Sequence, residues 1–337
     1  MYSRTKILFI GNYLAGNKGT TALASRLKEK LHNEYSITLI STQKNKLLRL
    51  ISMLIHSLFH PAQIMVVDVF SGKAFLFALW CTQASSWFKK RKIILVLRGG
   101  KLAEHYAERK HDFQKLLKRA HKVVTPSLFL QQEFSASFPT ISYLPNFVNL
   151  EQFPFQREGR NKYQILWVRS FASIYQPQLA IQIVHALHKK FPEASLTMIG
   201  PDDGLLESSK QLATSLKIIH RIQFVGPVNH SQLAAYYHRH GIYLNTTQYE
   251  SFGNALMEAA SSGIPIVSSA VGEIPFLWKH KLTAMLAQQQ ETSAFVNCIE
   301  ALWQDTRLTE AICIAARKRS EAFSWEHVEP MWKALLS

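Results

Sequence analysis

Glu250-Ser-Phe-Gly-Asn-Ala-Leu-Met-Glu258 sets two acids eight positions apart, with Ser251, Gly253 and Asn254 between them. The run before it, Gly241-Ile-Tyr-Leu-Asn-Thr-Thr247, is strand-like, and Ala255-Leu-Met-Glu-Ala-Ala260, which overlaps its end, is helix-like. The first acid therefore sits in a strand-to-helix loop and the second inside the helix. The helix N-terminus between them offers unpaired N–H groups and a partial positive charge, which suit a diphosphate. An acid on either side can accept hydrogen bonds from hydroxyls at the two ends of one ligand. A nucleotide sugar has that layout. On spacing alone the two acids also read as a solvated helix residue and a loop acid near a helix start. The flanking segments decide between these readings.

Working outward, the second half alternates strand-like and helix-like runs. The strands are Gln164–Val168, Leu196–Ile199, Ile222–Val225, Ile242–Leu244, Ile264–Val267 and Ala284–Leu286, with helices such as Leu179–Lys190 and Gln232–His238. The first half repeats the pattern. Its strand-like runs are Ile7–Ile10, Ile37–Ile40, Ile64–Val67, Ile93–Leu97, Val123–Val124 and Ile141–Leu144, with helices such as Thr21–His32 and Tyr106–Ala120. Nearly continuous apolar runs predict parallel strands covered on both faces, a doubly wound α/β pattern. The polar, turn-rich stretch from Pro145 to Asn161 marks a boundary. Two successive α/β domains imply a cleft between them, and ligands of such sheets sit at the carboxyl ends of strands.

Composition fits two cores: 337 residues, 47% hydrophobic and 18% charged. The formal net charge of +16 calls for an anionic partner: nucleic acid, an anionic membrane surface or phosphorylated substrates. No helix-turn-helix, zinc-finger or aromatic-basic RNA pattern is present, so nucleic acid is not expected. Cys81, Cys298 and Cys313 lie far apart without metal-ligand spacing and read as small buried hydrophobes. With no visible secretion signal, the expectation is a cytoplasmic protein.

The C-terminal half resembles the retaining glycosyltransferases of the group-1 class (glycosyltransferase family 4), which have the GT-B fold. The resemblance rests on six collinear pieces: Trp167-Val-Arg169, Met198-Ile-Gly-Pro201, Phe224-Val-Gly-Pro227, Glu250-Ser-Phe-Gly253, Glu258-Ala-Ala-Ser-Ser-Gly-Ile-Pro265 and Phe323-Ser-Trp325. It implies two Rossmann-like domains facing a cleft. Residues 1–150 would bind the acceptor, residues 151–320 the nucleotide sugar, and a helix in 321–337 would cross back to the first domain. The implied activity is transfer of a hexose-type sugar from a nucleoside-diphosphate sugar to a cell-surface glycan or lipid-linked acceptor, without metal or cofactor. By the same resemblance Glu258 holds ribose hydroxyls and Glu250 contacts the sugar near the reacting centre. Ser251 and the backbone of Phe252, Gly253, Asn254 and Ala255 meet sugar and phosphates, and Val225 lies near the base. Arg169 neutralises the diphosphate as negative charge grows on it, a role that suits a fixed cation with a forked donor set. A non-catalytic nucleotide-sugar binder and an isomerising enzyme of the same fold are the alternatives.

Two positions depart from the family pattern. No lysine follows Arg169 in Arg169-Ser-Phe-Ala-Ser-Ile-Tyr-Gln-Pro177, where Tyr175 or Gln176 stands about in its place. Arg98 occupies the position of a histidine often found after the fourth strand. The loop Gly11–Thr20 matches neither the P-loop nor the dinucleotide fingerprint, but Gly16 and Gly19 allow close approach to an anion. Asp202-Asp203-Gly204 reads as a turn rather than a metal site. Residues 44–60 form a basic amphipathic pattern, polar at 45, 49, 52, 56 and 60 and apolar at 47, 51, 54 and 58. Such a helix either lies on an anionic bilayer or packs on the first sheet as a crossover.

Overall fold

The structure, a computed structural model, describes residues 4–11, 23–40, 45–88, 91–99 and 101–337, with Lys46 and Phe88 described in backbone only. It divides into two compact units, Met1–Pro145 with Pro330–Ser337, and Asn146–Glu329.

The first unit runs β1 (Thr5–Ile10), α1 (Leu23–Lys30), β2 (Tyr35–Ile40), α2 (Lys46–Phe59), β3 (Ile64–Val69) and α3 (Lys73–Phe88). It continues with β4 (Lys92–Leu97), α4 (Leu102–Glu108), α5 (Lys110–Lys118), β5 (Lys122–Thr125), α6 (Leu128–Ser135) and β6 (Ser142–Tyr143). Its strands form one sheet in the order β2-β1-β3-β4-β5-β6, every pair parallel. Alternate residues Met65, Val67 and Val69 of β3, with Leu95 and Leu97 of β4, face Phe75, Phe113 and Phe134 in one apolar cluster. The helix expected over Tyr106–Ala120 is broken at Arg109, whose φ of −132° ends α4 and opens α5. No Gly or Pro marks this break. It accompanies the packing of Phe113 against the rings of His105 and Tyr106, 6.0 and 5.4 Å away.

The second unit runs β7 (Asn161–Val168), α7 (Pro177–His188), β8 (Ser195–Ile199), α8 (Leu206–Ser215), β9 (Ile222–Gly226), α9 (Leu233–Arg239) and β10 (His240–Asn245). Then come α10 (Asn254–Ser262), β11 (Ile266–Ser269), α11 (Ile274–Leu277), β12 (Met285–Ala287), α12 (Thr292–Gln304) and α13 (Thr306–Glu321). The last helix, α14 (Trp325–Leu336), begins in this unit, and from Pro330 the chain belongs to the first. The sheet order is β12-β11-β10-β7-β8-β9, again parallel throughout. Ile165 and Trp167, Leu196 and Met198, and Ile242 and Leu244 alternate along their strands into one core with α7 and α12. From β7 the chain winds outward to β8 and β9, then returns to the other side of β7 with β10. The order reverses between β7 and β10, and that switch point is where open α/β sheets leave a crevice for ligands.

Candidate active site

Two residues flank the switch point. Arg169 follows β7, and its N–H donates to the Ile199 carbonyl at 3.0 Å. The end of β8 comes close enough for this because residue 200 is glycine: a Cβ there would lie 1.8 Å from the Arg169 carbonyl oxygen. Glu250 follows β10 in the loop to α10. Its carbonyl accepts the Glu273 N–H at 3.0 Å. Gly272, at φ +53°, lies against the same carbonyl, where a Cβ would sit 2.3 Å from the oxygen. Neighbouring loops therefore fix both backbones.

The side chains meet. Arg169 Nη2 donates to Glu250 Oε2 at 2.6 Å and Nε to Asn245 Oδ1 at 3.0 Å. The Asn245 amide donates on to Ser268 Oγ at 2.8 Å. The Tyr175 ring lies 5.3 Å from the guanidinium carbon. Tyr175, about where the family lysine is expected, thus supports Arg169 through its π face and adds no second cation. Both ion-pair side chains are largely buried. Burial alone would lower the Arg169 pKa, but its neighbours, Tyr243 and Glu250 first, outweigh burial and raise it, so the guanidinium stays charged.

Glu250 Oε1 accepts the Ser251 N–H at 3.2 Å. Gly253, in the left-handed region, precedes α10, whose first residue, Asn254, is exposed. Asn254 Oδ1 accepts from Asn146 at 3.3 Å. Phe252 and Ala255 are buried, the Phe252 ring edge-on to Phe323 at 5.6 Å. Glu258, on α10, is buried and held twice. His230 Nε2 lies 2.8 Å from its Oε1, and the Tyr237 hydroxyl donates to Oε2 at 3.3 Å. Gln152 Nε2 lies 2.9 Å from His230 Nδ1, so the imidazole is held between the Gln152 amide and the Glu258 carboxylate. A capping box between Asn229 and Gln232 sets the short turn that carries His230. Val225 lies half-buried near the end of β9.

The structure thus places Arg169, Glu250, Ser251, Phe252, Gly253, Asn254, Ala255 and Glu258 along the loop and first turns that follow β7 and β10. Arg98 lies in the first unit just after β4, where Nε donates to Asp68 Oδ1 at 2.6 Å and the backbone N–H to Val69 at 2.8 Å. Gly16 and Gly19 fall outside the described residues. Asp202 accepts the N–H groups of Gly204 and Leu206 at 2.8 and 3.2 Å, and these backbone bonds lower its pKa, as a turn residue requires. Among the described residues no group of three His, Cys, Asp or Glu side chains gathers to hold a metal ion.

Sequence reading missed Asn245, His230, Tyr237 and Gln152. Asn245 carried a signal, a polar residue ending a buried strand. The pairing of His230 with Glu258 carried none, since 28 residues separate them.

Two doubly wound parallel six-stranded sheets in one chain place it in the GT-B class of α/β proteins. Residues 149–319, just over half the sequence, match the profile of glycosyl transferases group 1, and the chain belongs to that family. It is 29% identical over 154 residues to D-inositol 3-phosphate glycosyltransferase of Corynebacterium glutamicum, which covers 44% of this chain and 37% of that protein. It is 22% identical over 223 residues to glycogen synthase of Mycobacterium tuberculosis, 63% of this chain and 53% of that one. The matches therefore span about a third to a half of these relatives. The fold matches sucrose-phosphate synthase from Thermosynechococcus elongatus with a TM-score of 0.83 at 17% identity, covering 99% of this chain and 98% of the other. It also matches Anabaena HepE in complex with UDP and glucose, TM-score 0.76 at 15% identity, over 98% and 99% of the two chains.

Proposed function

We propose that this chain is a retaining glycosyltransferase. It moves a hexose-type sugar from a nucleoside-diphosphate sugar to a glycan or lipid-linked acceptor of the cell surface, such as lipopolysaccharide, capsule or exopolysaccharide. One observation carries the reading: the 2.6 Å Arg169–Glu250 pair sits at the switch point, beside the N-terminus of α10, which no side chain among the described residues caps and whose helix also bears Glu258. The diphosphate lies at that N-terminus, and Arg169 turns from Glu250 to the phosphate oxygens. Glu250, released, accepts hydrogen bonds from sugar hydroxyls. Glu258 likewise exchanges His230 for the ribose hydroxyls, and Val225 borders the base.

In the transfer, the bond from the sugar's anomeric carbon to the phosphate oxygen breaks and both its electrons go to the phosphate. Arg169 stabilises the charge that develops there. The acceptor hydroxyl attacks on the same face and its proton passes to the departing phosphate oxygen, so the anomeric configuration is kept. Arg169 and the α10 N-terminus supply the positive charge, and the reaction needs no metal. The acceptor side belongs to the first unit, where Arg98 binds sugar or phosphate oxygens. The strongly basic chain works in the cytoplasm, at the inner face of the membrane that carries its acceptor.

The decisive experiment is incubation with UDP-, GDP- and ADP-sugars, reading release of nucleoside diphosphate. Binding seen by thermal shift without any release would favour a non-catalytic nucleotide-sugar binder.

A further inference from the structure

Helix α2 presents an apolar strip to solvent. The side facing the interior carries Arg49, Met53 and Ser57, one residue per turn, all buried. The side facing water carries Leu47, Leu48, Ile51, Ile55 and Phe59, between 44 and 70% exposed. A surface helix in water buries such a strip and leaves an arginine outside. The inward polar groups are accommodated. Ser57 donates to the Met53 carbonyl at 2.7 Å and hydrogen-bonds Cys81 of α3. Arg49 lines a cavity of about 60 Å³ together with Asp68 and Phe77. The crossover expectation for residues 44–60 is met by the helix's position between β2 and β3, with Met53 and Leu54 packed on the apolar cluster of the first sheet, while the strip Leu47, Leu48, Ile51, Ile55 and Phe59 points to solvent. On α3, which packs along α2, Trp80 and Trp87 stand seven residues apart on one side of the helix and are also exposed.

Charge identifies what covers this face. The first unit holds 23 Lys plus Arg against 7 Asp plus Glu, and the second 16 against 16. The whole formal charge of +16 therefore rests on the unit that bears the apolar strip. The basic run Lys89-Lys90-Arg91-Lys92 directly follows α3 in sequence. A second copy of so cationic a unit would meet its own charge. Nucleic acid would use the charge and leave five aliphatic and aromatic side chains in water. An anionic bilayer uses both features, the apolar strip entering the acyl boundary and the basic side chains meeting the headgroups. Tryptophan favours that boundary because its ring is apolar with one polar edge. No helix among the described residues is long and apolar enough to cross a membrane, so the contact is one of lying on the surface.

We infer that the α2–α3 face of the first unit is a docking surface for an anionic lipid bilayer, with Leu47, Ile51, Ile55 and Phe59 as the inserted strip. The inference rests on the reading of a membrane-borne acceptor and deepens it. The full chain is floated with phosphatidylcholine vesicles with or without phosphatidylglycerol. Expected is flotation with phosphatidylglycerol only, weakened by salt. The triple variant Ile51→Ser, Ile55→Ser, Phe59→Ser should reduce vesicle affinity at least about tenfold, since each buried methylene group is lost from the contact. These side chains are exposed, so the melting temperature should hold, and Trp87→Ala provides an independent second variant. Failure of the wild type to float, or equal flotation of the triple variant, overturns the inference. So does a concentration-dependent dimer that the triple variant abolishes, which would make the face an interface between copies. Thermal shift with nucleotide sugars on the same preparation separates the two ideas. A shift without flotation sinks the docking surface alone, and flotation without a shift sinks the transferase reading alone.

Discussion

Arg169 makes three contacts at once, to Glu250, Asn245 and the Tyr175 ring, and the last two can hold the guanidinium beside the proposed diphosphate once Glu250 is exchanged for it. Arg169→Ala should lower turnover roughly 10²–10³-fold, the range for removing one preorganised donor from a developing anion. Arg169→Lys should recover little of it, because a point charge cannot keep the bond to Asn245 and grip the phosphate oxygens with a fork at once. Single-turnover release of nucleoside diphosphate measures both. A subtler test lies at Gly272. Its positive φ costs a non-glycine residue about 1–2 kcal/mol, and its Cβ would strike the Glu250 carbonyl 2.3 Å away. Gly272→Ala should therefore displace Glu250 and cut kcat while the diphosphate alone still binds; unchanged kcat would show that the Glu250 backbone position is not critical. The two acids and Arg169 were legible in the sequence because each follows a strand end in a recognisable run. Gly272 was not, since its role exists only against a loop 22 residues away.

At the scale of elements, the apolar strands and most helices were legible because parallel sheets bury continuous runs. The break at Arg109, which no Gly or Pro marks, was not, and neither was the outward apolar strip of α2. Periodicity shows that a helix has two faces, and only the packed neighbours decide which faces inward. Strand β10 carries a testable consequence of its own. It begins at His240, buried, with Nδ1 facing the Tyr236 carbonyl at 2.7 Å and Nε2 facing Thr197 Oγ1 at 2.8 Å. Burial lowers its pKa below the ordinary 6.5; the Tyr236 carbonyl opposes this and Arg239 adds to it. The folded state thus binds its proton less readily than the unfolded chain. The stability it contributes is complete above about pH 6.5 and is lost as pH falls through the lower folded value. The melting temperature should accordingly drop between about pH 7 and pH 5, as unfolding free energy falls by at most about 1.4 kcal/mol per pH unit from this residue. His240→Gln should flatten that slope while costing some stability at neutral pH. An unaltered slope would assign the acid sensitivity to other histidines.

At the scale of the whole molecule, the chain completes its first unit only after the sequence of the second. Residues 330–337 return to it with Trp332 fully buried, its ring 6.4 Å from that of Phe9 on β1. Lys333 pairs with Glu34 at 2.6 Å, Lys122 donates to the Ala334 carbonyl at 2.9 Å and Lys92 to that of Ser337 at 2.7 Å. These polar contacts are exposed or half-buried and each adds little, so the indole dominates. Trp332→Ala should cost about 3–5 kcal/mol, the range for emptying a large aromatic site. Trp332→Phe should cost far less, since it keeps most of the ring and removes a buried indole N–H that has no hydrogen-bond partner among the described residues. Because the proposed donor residues Arg169, Glu250 and Glu258 all belong to the second unit, the damage should stay local. Urea titration should show the first unit unfolding at lower denaturant in Trp332→Ala, while the thermal shift produced by a nucleoside diphosphate keeps its size. If that shift vanished along with the first unit's stability, the two units would fold as one cooperative body, and the donor site could not be assigned to the second unit alone.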